Sequence, residues 1–180
     1  IEIVSKAYIY SSLAHEHQSR KTGEPYIIHP VAVASILGSL NLDAATIAAG
    51  LLHDVLEDTS INEDLLTKEF GFEIFSLVDG VSKLDRLEDE DINENQAESF
   101  RKMMLAMVQD IRVIMIKLSD RLHNMRTIFA LDKDKQMKKA KQYNAQFTCL
   151  LSSEEFKNEQ ILIQTSNNYL DNSILDWSNL

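Results

Sequence analysis

Apolar residues recur every three or four positions along most of residues 2–147, which is the spacing of amphipathic helices. The pattern predicts a series of helices, at about 2–19, 29–40, 43–57, 60–71, 72–82, 96–130 and 133–147. The helix over 96–130 is expected to be split near Asp110. No long run alternates between apolar and polar residues as a strand would, and with 5 Gly and 2 Pro the chain has few helix breakers. The sequence therefore predicts an all-α fold.

The predicted helix over 43–57 is apolar on nearly every side, which indicates a central and buried position. Its end carries four ionisable side chains, His53, Asp54, Glu57 and Asp58. In a continuous helix, 100° per residue would place all four within about 140° of the circumference, on one face. Three carboxylates and an imidazole beside an apolar core are unfavourable without a compensating cation. The pattern therefore favours a divalent metal site.

Two residues from other helices are the natural additional ligands. His29 stands where a helix begins, and Asp120 lies within the apolar run 111–122, where an acid is unexpected. Two imidazoles and two carboxylates suit Mn²⁺, Fe²⁺ or Zn²⁺. Taken singly, His53 could instead be a hydrogen-bonded core histidine, and Asp120 could pair with a nearby arginine, Arg121 or Arg126.

Other polar groups are interpreted without a ligand role. The remaining histidines are expected to be surface or packing residues: His15, His17 and His123. The acidic run 85–95 is interpreted as a solvated loop rather than a second metal site. The segment from Ser60 to Glu63 is interpreted as a capping box that opens the next helix.

Charge and composition restrict the kinds of molecule that the protein is expected to bind and its expected location. The net charge of −10 argues against a general nucleic-acid-binding surface, although a small anionic substrate could bind at a local basic patch or a metal. The single cysteine, Cys149, allows no internal disulfide and fits a cytoplasmic location. No stretch approaches the roughly 18 apolar residues of a membrane span. The sequence makes no prediction of the oligomeric state.

Five segments carry longer and more specific patterns than the helical periodicity. They are residues 18–30 (QSRKTGEPYIIHP), 51–59 (LLHDVLEDT), 78–84 (VDGVSKL), 96–103 (QAESFRKM) and 110–127 (DIRVIMIKLSDRLHNMRT). The order of His29, His53-Asp54 and Asp120 is that of the HD superfamily. The five segments together resemble the hydrolase domain of RelA/SpoT homologues, over about residues 5–142.

The resemblance implies an HD-domain helical bundle that removes the 3′-pyrophosphate from (p)ppGpp in alarmone degradation. It implies one Mn²⁺ held by His29, His53, Asp54 and Asp120, with Glu57 and Asp58 activating water and handling the proton. It also implies nucleotide contacts from Arg20, Lys21, Asn124 and Thr127. Synthetases of this family that lack hydrolase activity have lost the metal ligands and the Glu-Asp pair, whereas this chain has all six residues. The resemblance therefore implies a working hydrolase.

The similarity ends where Phe147 to Leu151 replaces the family's next helical segment. We therefore expect a hydrolase domain over 1–148 and a weakly structured, divergent tail over 149–180, without the synthetase domain. Two other functions stay open from the sequence. One is an HD phosphohydrolase acting on another nucleotide, such as a dNTP, NADPH or a cyclic dinucleotide. The other is a non-catalytic regulatory fragment that binds the alarmone without hydrolysing it.

Overall fold

The computed structural model describes residues 1–90, 110–140 and 143, and for residues 85–90 it describes the backbone alone. Its named helices are α1 (Glu2–Ala14), α2 (Ile28–Ser39), α3 (Ala44–Leu52), α4 (Val55–Asp58), α5 (Glu63–Glu90) and α6 (Ile111–Arg126), followed by a 3₁₀ turn, Ile128–Ala130. Residues 133–140 are also helical. These ranges contain no strand, only one isolated bridge between Ser19 and Pro25. The all-α prediction is confirmed, and the predicted tail over 149–180 lies outside the described residues.

Helix α3 is the centre of the bundle, as its apolar sequence predicts. It packs against α1, α2, α5 and α6, and Ala48, Ala49 and Leu52 are fully buried. Gly50 allows the close approach of α2, because a Cβ atom there would collide with the side chain of Leu37. This packing brings the start of α2, the end of α3 and the middle of α6 to one place.

The continuous helix expected over 43–57 is wrong. Helix α3 ends at Leu52, His53 and Asp54 form a turn, and α4 restarts the helix at Val55. The ring of His53 competes for the Gly50 carbonyl, which a continuous helix would pair with the N–H of Asp54. Helical periodicity therefore does not by itself place the four ionisable residues, and each is placed by its own contacts.

Asn62 determines where helix α5 begins, and Gly71 determines where it bends. Its cap is Asn62, whose side chain accepts from the N–H of Leu65 at 2.9 Å, so the capping box expected at Ser60 is wrong by two residues. Gly71 has φ 81° and kinks the helix, which confirms the break expected there. The helix then continues to Glu90, so the loop expected for 85–90 is also wrong. Leucine, arginine and glutamate are good helix formers, and the run contains no Gly or Pro to stop the helix. Residues 91–95 lie outside the described residues.

Asp110 caps the start of helix α6, at the position where the sequence predicted a split, and the predicted helical stretch over 96–109 lies outside the described residues. The carboxylate of Asp110 caps the helix by accepting from the N–H of Arg112 at 2.9 Å. The guanidinium of Arg112 returns to the same carboxylate at 2.8 Å and reaches Glu73 of α5 at 2.7 Å. This hydrogen bonding holds the pKa of Asp110 below its usual value. The cap thus fixes the helix that carries Asp120.

We expect Asp110→Ala to lower the free energy of unfolding by about 0.5–2 kcal/mol, the usual effect of losing an N-cap. For a chain of this size, that corresponds to a melting temperature lower by about 1–8 °C, which can be followed by circular dichroism. Asp110→Asn is the matched control because asparagine caps as well as aspartate. If both variants lose the same stability, the pairing with Arg112, not the cap, is what holds the helix start.

The chain divides into two compact units. Residues 1–132 form the first, which contains every predicted site residue, and the second begins at Lys133. Within the second unit, the ammonium of Lys139 lies 5.5 Å from the centre of the Tyr143 ring. The domain boundary expected at 148 stays a prediction. Among the described residues, none of the helices has the length and apolar character that crossing a membrane requires.

Candidate metal centre

Three separate parts of the fold bring two histidines and two aspartates together. His29 comes from the first turn of α2, His53 and Asp54 from the turn between α3 and α4, and Asp120 from α6. His29 Nε2 lies 3.1 Å from Asp120 Oδ1 and 3.6 Å from Asp54 Oδ2, and His53 Nε2 lies 3.1 Å from Asp54 Oδ1. His29, His53 and Asp120 are buried, and each offers one ligand atom within 4.8 Å of the others. All four predicted ligands therefore meet, with Asp54 at the edge of the buried group.

The ring of His53 is oriented for coordination. Its Nδ1 donates to the carbonyl of Gly50 at 2.9 Å, and because a carbonyl only accepts, Nδ1 must carry the hydrogen. In the neutral ring, Nε2 then has a free lone pair. That atom is buried and has no hydrogen-bond partner of adequate geometry, although the Asp54 carboxylate is 3.1 Å away. A buried acceptor aimed at two carboxylates fits a cation between them.

His29 is oriented by a third histidine. Its Nδ1 lies 2.7 Å from Nδ1 of His123, which is buried on α6 one turn before the helix ends. One of the two nitrogens must donate to the other, so the pair holds both rings in a fixed relation. Burial, with His29 and Arg20 nearby, lowers the pKa of His123 to about 4. A neutral His123 can therefore accept from His29 and leave Nε2 of His29 facing the acids.

Asp120 is held by groups on its own helix. Asn124 donates to its Oδ1 at 2.6 Å, and the buried ammonium of Lys117 lies 3.4 Å from its Oδ2. Burial would raise the pKa of Asp120, but Lys117 and His29 outweigh burial and lower it. The carboxylate is therefore ionised in an apolar setting, with Oδ1 directed to the histidines.

The cluster carries a charge balance that suits a divalent ion. Burial lowers the pKa of His29, and the neighbouring ring of His53 lowers it further. Burial also acts to lower the pKa of His53, but Asp54 and Asp120 outweigh it and raise that pKa. Two carboxylates thus stabilise positive charge between the rings, and a proton or a metal ion can supply it. The donor set of two imidazoles and two carboxylates fits a divalent cation.

A phenol hydroxyl links this cluster to the next acid along the chain. Tyr26 Oη lies 2.6 Å from Oδ2 of Asp54 and 3.0 Å from Oδ2 of Asp58, so it donates to one acid or shares its hydrogen between them. Burial and the two carboxylates raise the pKa of Tyr26 well above its ordinary value. The hydroxyl therefore remains a donor at physiological pH. Asp58 itself is exposed.

Glu57, the other predicted catalytic acid, is exposed and turned towards α5. Its Oε1 accepts from the hydroxyl of Ser82 at 2.7 Å, and Ser82 is buried. Ser82 belongs to the 78–84 segment singled out in the sequence. A carboxylate that is exposed and positioned by hydrogen bonding in this way can act as a general base once a water molecule lies within hydrogen-bond reach.

Three of the four predicted nucleotide contacts also come together. Nη2 of Arg20 donates to Oδ1 of Asn124 at 2.8 Å and lies 3.3 Å from Oγ1 of Thr127. Asn124 also donates to the metal-cluster residue Asp120, so these polar groups adjoin the candidate metal centre. Lys21 is exposed, and within the described residues it makes no hydrogen bond or ion pair.

A family model for the HD domain matches residues 7–152. The chain belongs to the HD-domain family. The histidine and aspartate pair that names such domains is His53-Asp54 here, and the order of the four clustered residues is the one expected from the sequence.

Curated relatives of this HD domain confirm the resemblance to RelA/SpoT homologues. The guanosine-3′,5′-bis(diphosphate) 3′-pyrophosphohydrolase of Vibrio cholerae is 56% identical over 142 residues, covering 79% of this chain and 20% of the relative. The bifunctional (p)ppGpp synthase/hydrolase SpoT of Escherichia coli is 54% identical with the same coverage. A GTP pyrophosphokinase of Myxococcus xanthus is 52% identical over 145 residues, 79% of this chain and 19% of that protein. The chain thus spans about a fifth of the length of these relatives.

A solved structure shares the fold of this HD domain. It is a metazoan orthologue of SpoT that hydrolyses ppGpp, with a TM-score of 0.66 and 23% sequence identity. The similarity covers 91% of this chain and 95% of the other. The helical HD-domain architecture expected from the sequence is confirmed.

Several residues of the HD-domain site had no role in the sequence prediction. The structure adds Tyr26 at Asp54, His123 at His29, Lys117 at Asp120 and Ser82 at Glu57. All four lie inside the specific segments at 18–30, 78–84 and 110–127, and that was the available signal. None of the three remaining histidines belongs to the metal-ligand group: His15 is buried and His17 is exposed, whereas the buried His123 also orients His29, a role that the sequence did not predict.

Proposed function

We propose that this HD domain hydrolyses the 3′-pyrophosphate of (p)ppGpp, giving GDP or GTP and pyrophosphate. The observation that carries the proposal is the convergence of His29, His53, Asp54 and Asp120 in a chain more than 50% identical to pyrophosphohydrolases of this name. Relatives named as GTP pyrophosphokinase also match. The buried set of metal-ligand types favours the hydrolase over a purely synthetic or binding role.

We propose one Mn²⁺ ion as the cofactor, held by His29, His53, Asp54 and Asp120. The ligand types, their burial and the free lone pair on His53 support this assignment. When bound, such an ion supplies Lewis acidity at a phosphate oxygen and lowers the pKa of water. Hydrogen-bond partners orient the two imidazoles: the Gly50 carbonyl for His53 and the ring of His123 for His29.

Glu57 and Asp58 are the proposed proton-handling acids. Glu57 takes the proton from the attacking water, and the hydroxyl of Ser82 keeps its carboxylate in place. Asp58 assists or relays the proton, since it is exposed and joined through Tyr26 to Asp54. Attack at the phosphorus bound to the 3′ oxygen forms a bond to the water oxygen and breaks the bond to the 3′ oxygen. Pyrophosphate is released, and the 3′ oxygen takes up a proton to become the 3′ hydroxyl of GDP or GTP.

Arg20, Lys21, Asn124 and Thr127 are the proposed nucleotide contacts. The planar guanidinium of Arg20 can stack on guanine or bind phosphate, and its contacts to Asn124 and Thr127 fix it beside the acids. Lys21 is exposed next to it and supplies a second cation. These charges and the metal ion offset the repulsion that a chain of net charge −10 exerts on an anionic substrate. A cytoplasmic location stays a prediction from the sequence.

The test is incubation of the purified chain with ppGpp and Mn²⁺, with GDP and pyrophosphate measured by chromatography. We expect pyrophosphate release that EDTA stops and added Mn²⁺ restores. A parallel panel of dGTP, NADPH and a cyclic dinucleotide tests the alternative substrates. No release from ppGpp by folded, metal-bound protein contradicts the proposal. Turnover of another member of the panel would favour a general HD phosphohydrolase, and tight ppGpp binding without turnover a regulatory module.

A further inference from the structure

Tyr26 occupies an unusual position between two acids of the site. The acids stand at the two ends of the short helix α4: Asp54 precedes its first residue and Asp58 is its last. The phenol oxygen lies 2.6 Å from one carboxylate and 3.0 Å from the other. Without a donor between them, two ionised carboxylates at this spacing repel, and the exposed Asp58 would turn to solvent.

The two oxygens of Asp54 face different partners. Oδ1 lies 3.1 Å from Nε2 of His53, whereas Oδ2 accepts from Tyr26. A hydrogen bond to one oxygen of a ligating carboxylate orients the other towards the ion. The same hydroxyl therefore connects a candidate metal ligand to a candidate proton-handling acid.

The ring of Tyr26 is itself held on two sides. One face stacks on the buried ring of His15, with centroids 4.6 Å apart and planes at 27°. The ring also makes an edge-to-face pair with His29, with centroids 6.0 Å apart. Nδ1 of His15 pairs with the side-chain oxygen of Gln18 at 2.8 Å. A phenol fixed in this way can impose a position on Asp58 rather than follow it.

Gln18 ties the backbone of both partners. Its carbonyl accepts from the N–H of Tyr26 at 3.0 Å, and its side-chain amide donates to the carbonyl of Asp58 at 2.7 Å. The loop over 18–26 closes on itself through the Ser19–Pro25 bridge and turns at Gly23, which has φ 87°. The same loop carries Arg20, so the nucleotide-binding end and Tyr26 form one folded piece.

We propose that Tyr26 is a positioning residue of the hydrolase, whose hydroxyl holds Asp58 in place beside the metal ligand Asp54. The inference rests on the proposed function, because Asp58 matters only if it handles a proton there. In this role Tyr26 acts through the two carboxylates that its hydroxyl contacts, rather than on the substrate itself. The loop over 18–26 therefore positions Asp58 through Tyr26 and carries the proposed nucleotide contact Arg20.

The test compares Tyr26→Phe with the wild type at saturating Mn²⁺. The phenylalanine keeps the ring and its stacking on His15, so the fold is expected to survive. We expect kcat for ppGpp to fall by about 10–100-fold, because Asp58 is no longer held where it can handle the proton, and a positioned acid or base contributes about 10²–10⁴-fold. We expect KM to change by less than about threefold, because Arg20 and its partners remain. Tyr10→Phe is the matched control, since it removes a phenol hydroxyl from α1, next to Phe70 and outside the site.

A double-mutant cycle shows whether the hydroxyl acts through Asp58. If it does, adding Tyr26→Phe to the Asp58→Asn variant lowers kcat by less than about threefold. A second readout needs no turnover: calorimetric titration with Mn²⁺ is expected to show a weaker affinity in Tyr26→Phe, by about tenfold. If the wild-type protein does not hydrolyse ppGpp, that result contradicts the proposed function. The Mn²⁺ titration of wild type and Tyr26→Phe still tests separately whether the hydroxyl orients Asp54.

Any of three results overturns the proposal. If the kcat losses of Tyr26→Phe and Asp58→Asn multiply in the double variant, the hydroxyl does not act through Asp58. An Mn²⁺ affinity that is unchanged in Tyr26→Phe would show that the hydroxyl does not orient Asp54. A rise in KM with unchanged kcat would make Tyr26 a nucleotide contact instead of a positioning residue.

Discussion

His53→Leu is expected to lower hydrolysis of ppGpp by about 10³-fold and to weaken Mn²⁺ binding more than the loss of any hydrogen-bond partner of the ligands. Leucine fills the buried space of the ring but removes the free lone pair of Nε2 that faces Asp54. Substituting a partner that only orients a ligand costs about 10–100-fold in metal affinity, so loss of a ligand itself should exceed about 100-fold. If the ion contributes several kcal/mol to the transition state, turnover falls by about 10³-fold.

Calorimetric Mn²⁺ titration and the pyrophosphate assay measure the two effects. His17→Leu is the matched control, because it removes an exposed histidine that lies outside the cluster. It should leave both quantities unchanged. Wild-type Mn²⁺ affinity in His53→Leu, with the fold intact by circular dichroism, would remove His53 from the ligand set.

Glu57→Gln is expected to keep the metal and lose most of the turnover. Glutamine has the shape of glutamate and can still accept from the hydroxyl of Ser82, but it cannot take a proton. Positioned general bases contribute about 10²–10⁴-fold, so kcat should fall within that range while KM and Mn²⁺ affinity stay close to the wild type. Steady-state kinetics at saturating Mn²⁺ measure the change.

The control for Glu57→Gln is Glu16→Gln, which neutralises an exposed acid just after α1. It makes the same change in net charge without touching the site. If Glu57→Gln retains wild-type turnover, the water-activating role belongs elsewhere. Asp58 is then the first residue to substitute, since it is the other acid of α4 that the site holds.

The sequence could predict that the four candidate ligands lie together, because their residue types and their order along the chain indicate it. His29 at a helix start and Asp120 inside an apolar run stood out as polar residues where packing favours none. The structure brings His29 to 3.6 Å from Asp54 and Asp120 to 3.9 Å from His53. Their meeting needed only that α2, α3 and α6 share one core, which the apolar sequence of α3 indicates.

The local geometry around His53 was not predictable from periodicity. The hydrophobic pattern runs smoothly through residues 43–57, so it predicted one helix and one shared face. A side chain that competes for the Gly50 carbonyl leaves no trace in that pattern. Contacts with other elements place the two acids of α4: Glu57 reaches α5, while Asp58 reaches the loop of Tyr26.

The supporting residues were missed for a related reason. A tyrosine or histidine gives no sequence signal for its partner until tertiary contacts are known. Tyr26 and His123 acquire their roles from elements far along the chain, 28 and 94 residues from their partners Asp54 and His29. Membership in a specific segment marked them as candidates, but only the folded arrangement shows which acid or ring each one holds.

The central claim is that one ion joins His29, His53, Asp54 and Asp120. The most direct measurement is a crystal structure grown with Mn²⁺ and recorded at the manganese absorption edge. The account predicts one anomalous peak at about 2–2.5 Å from Nε2 of both histidines and from an oxygen of each aspartate. A peak bound elsewhere, or none at these four side chains in protein saturated with Mn²⁺, would contradict it.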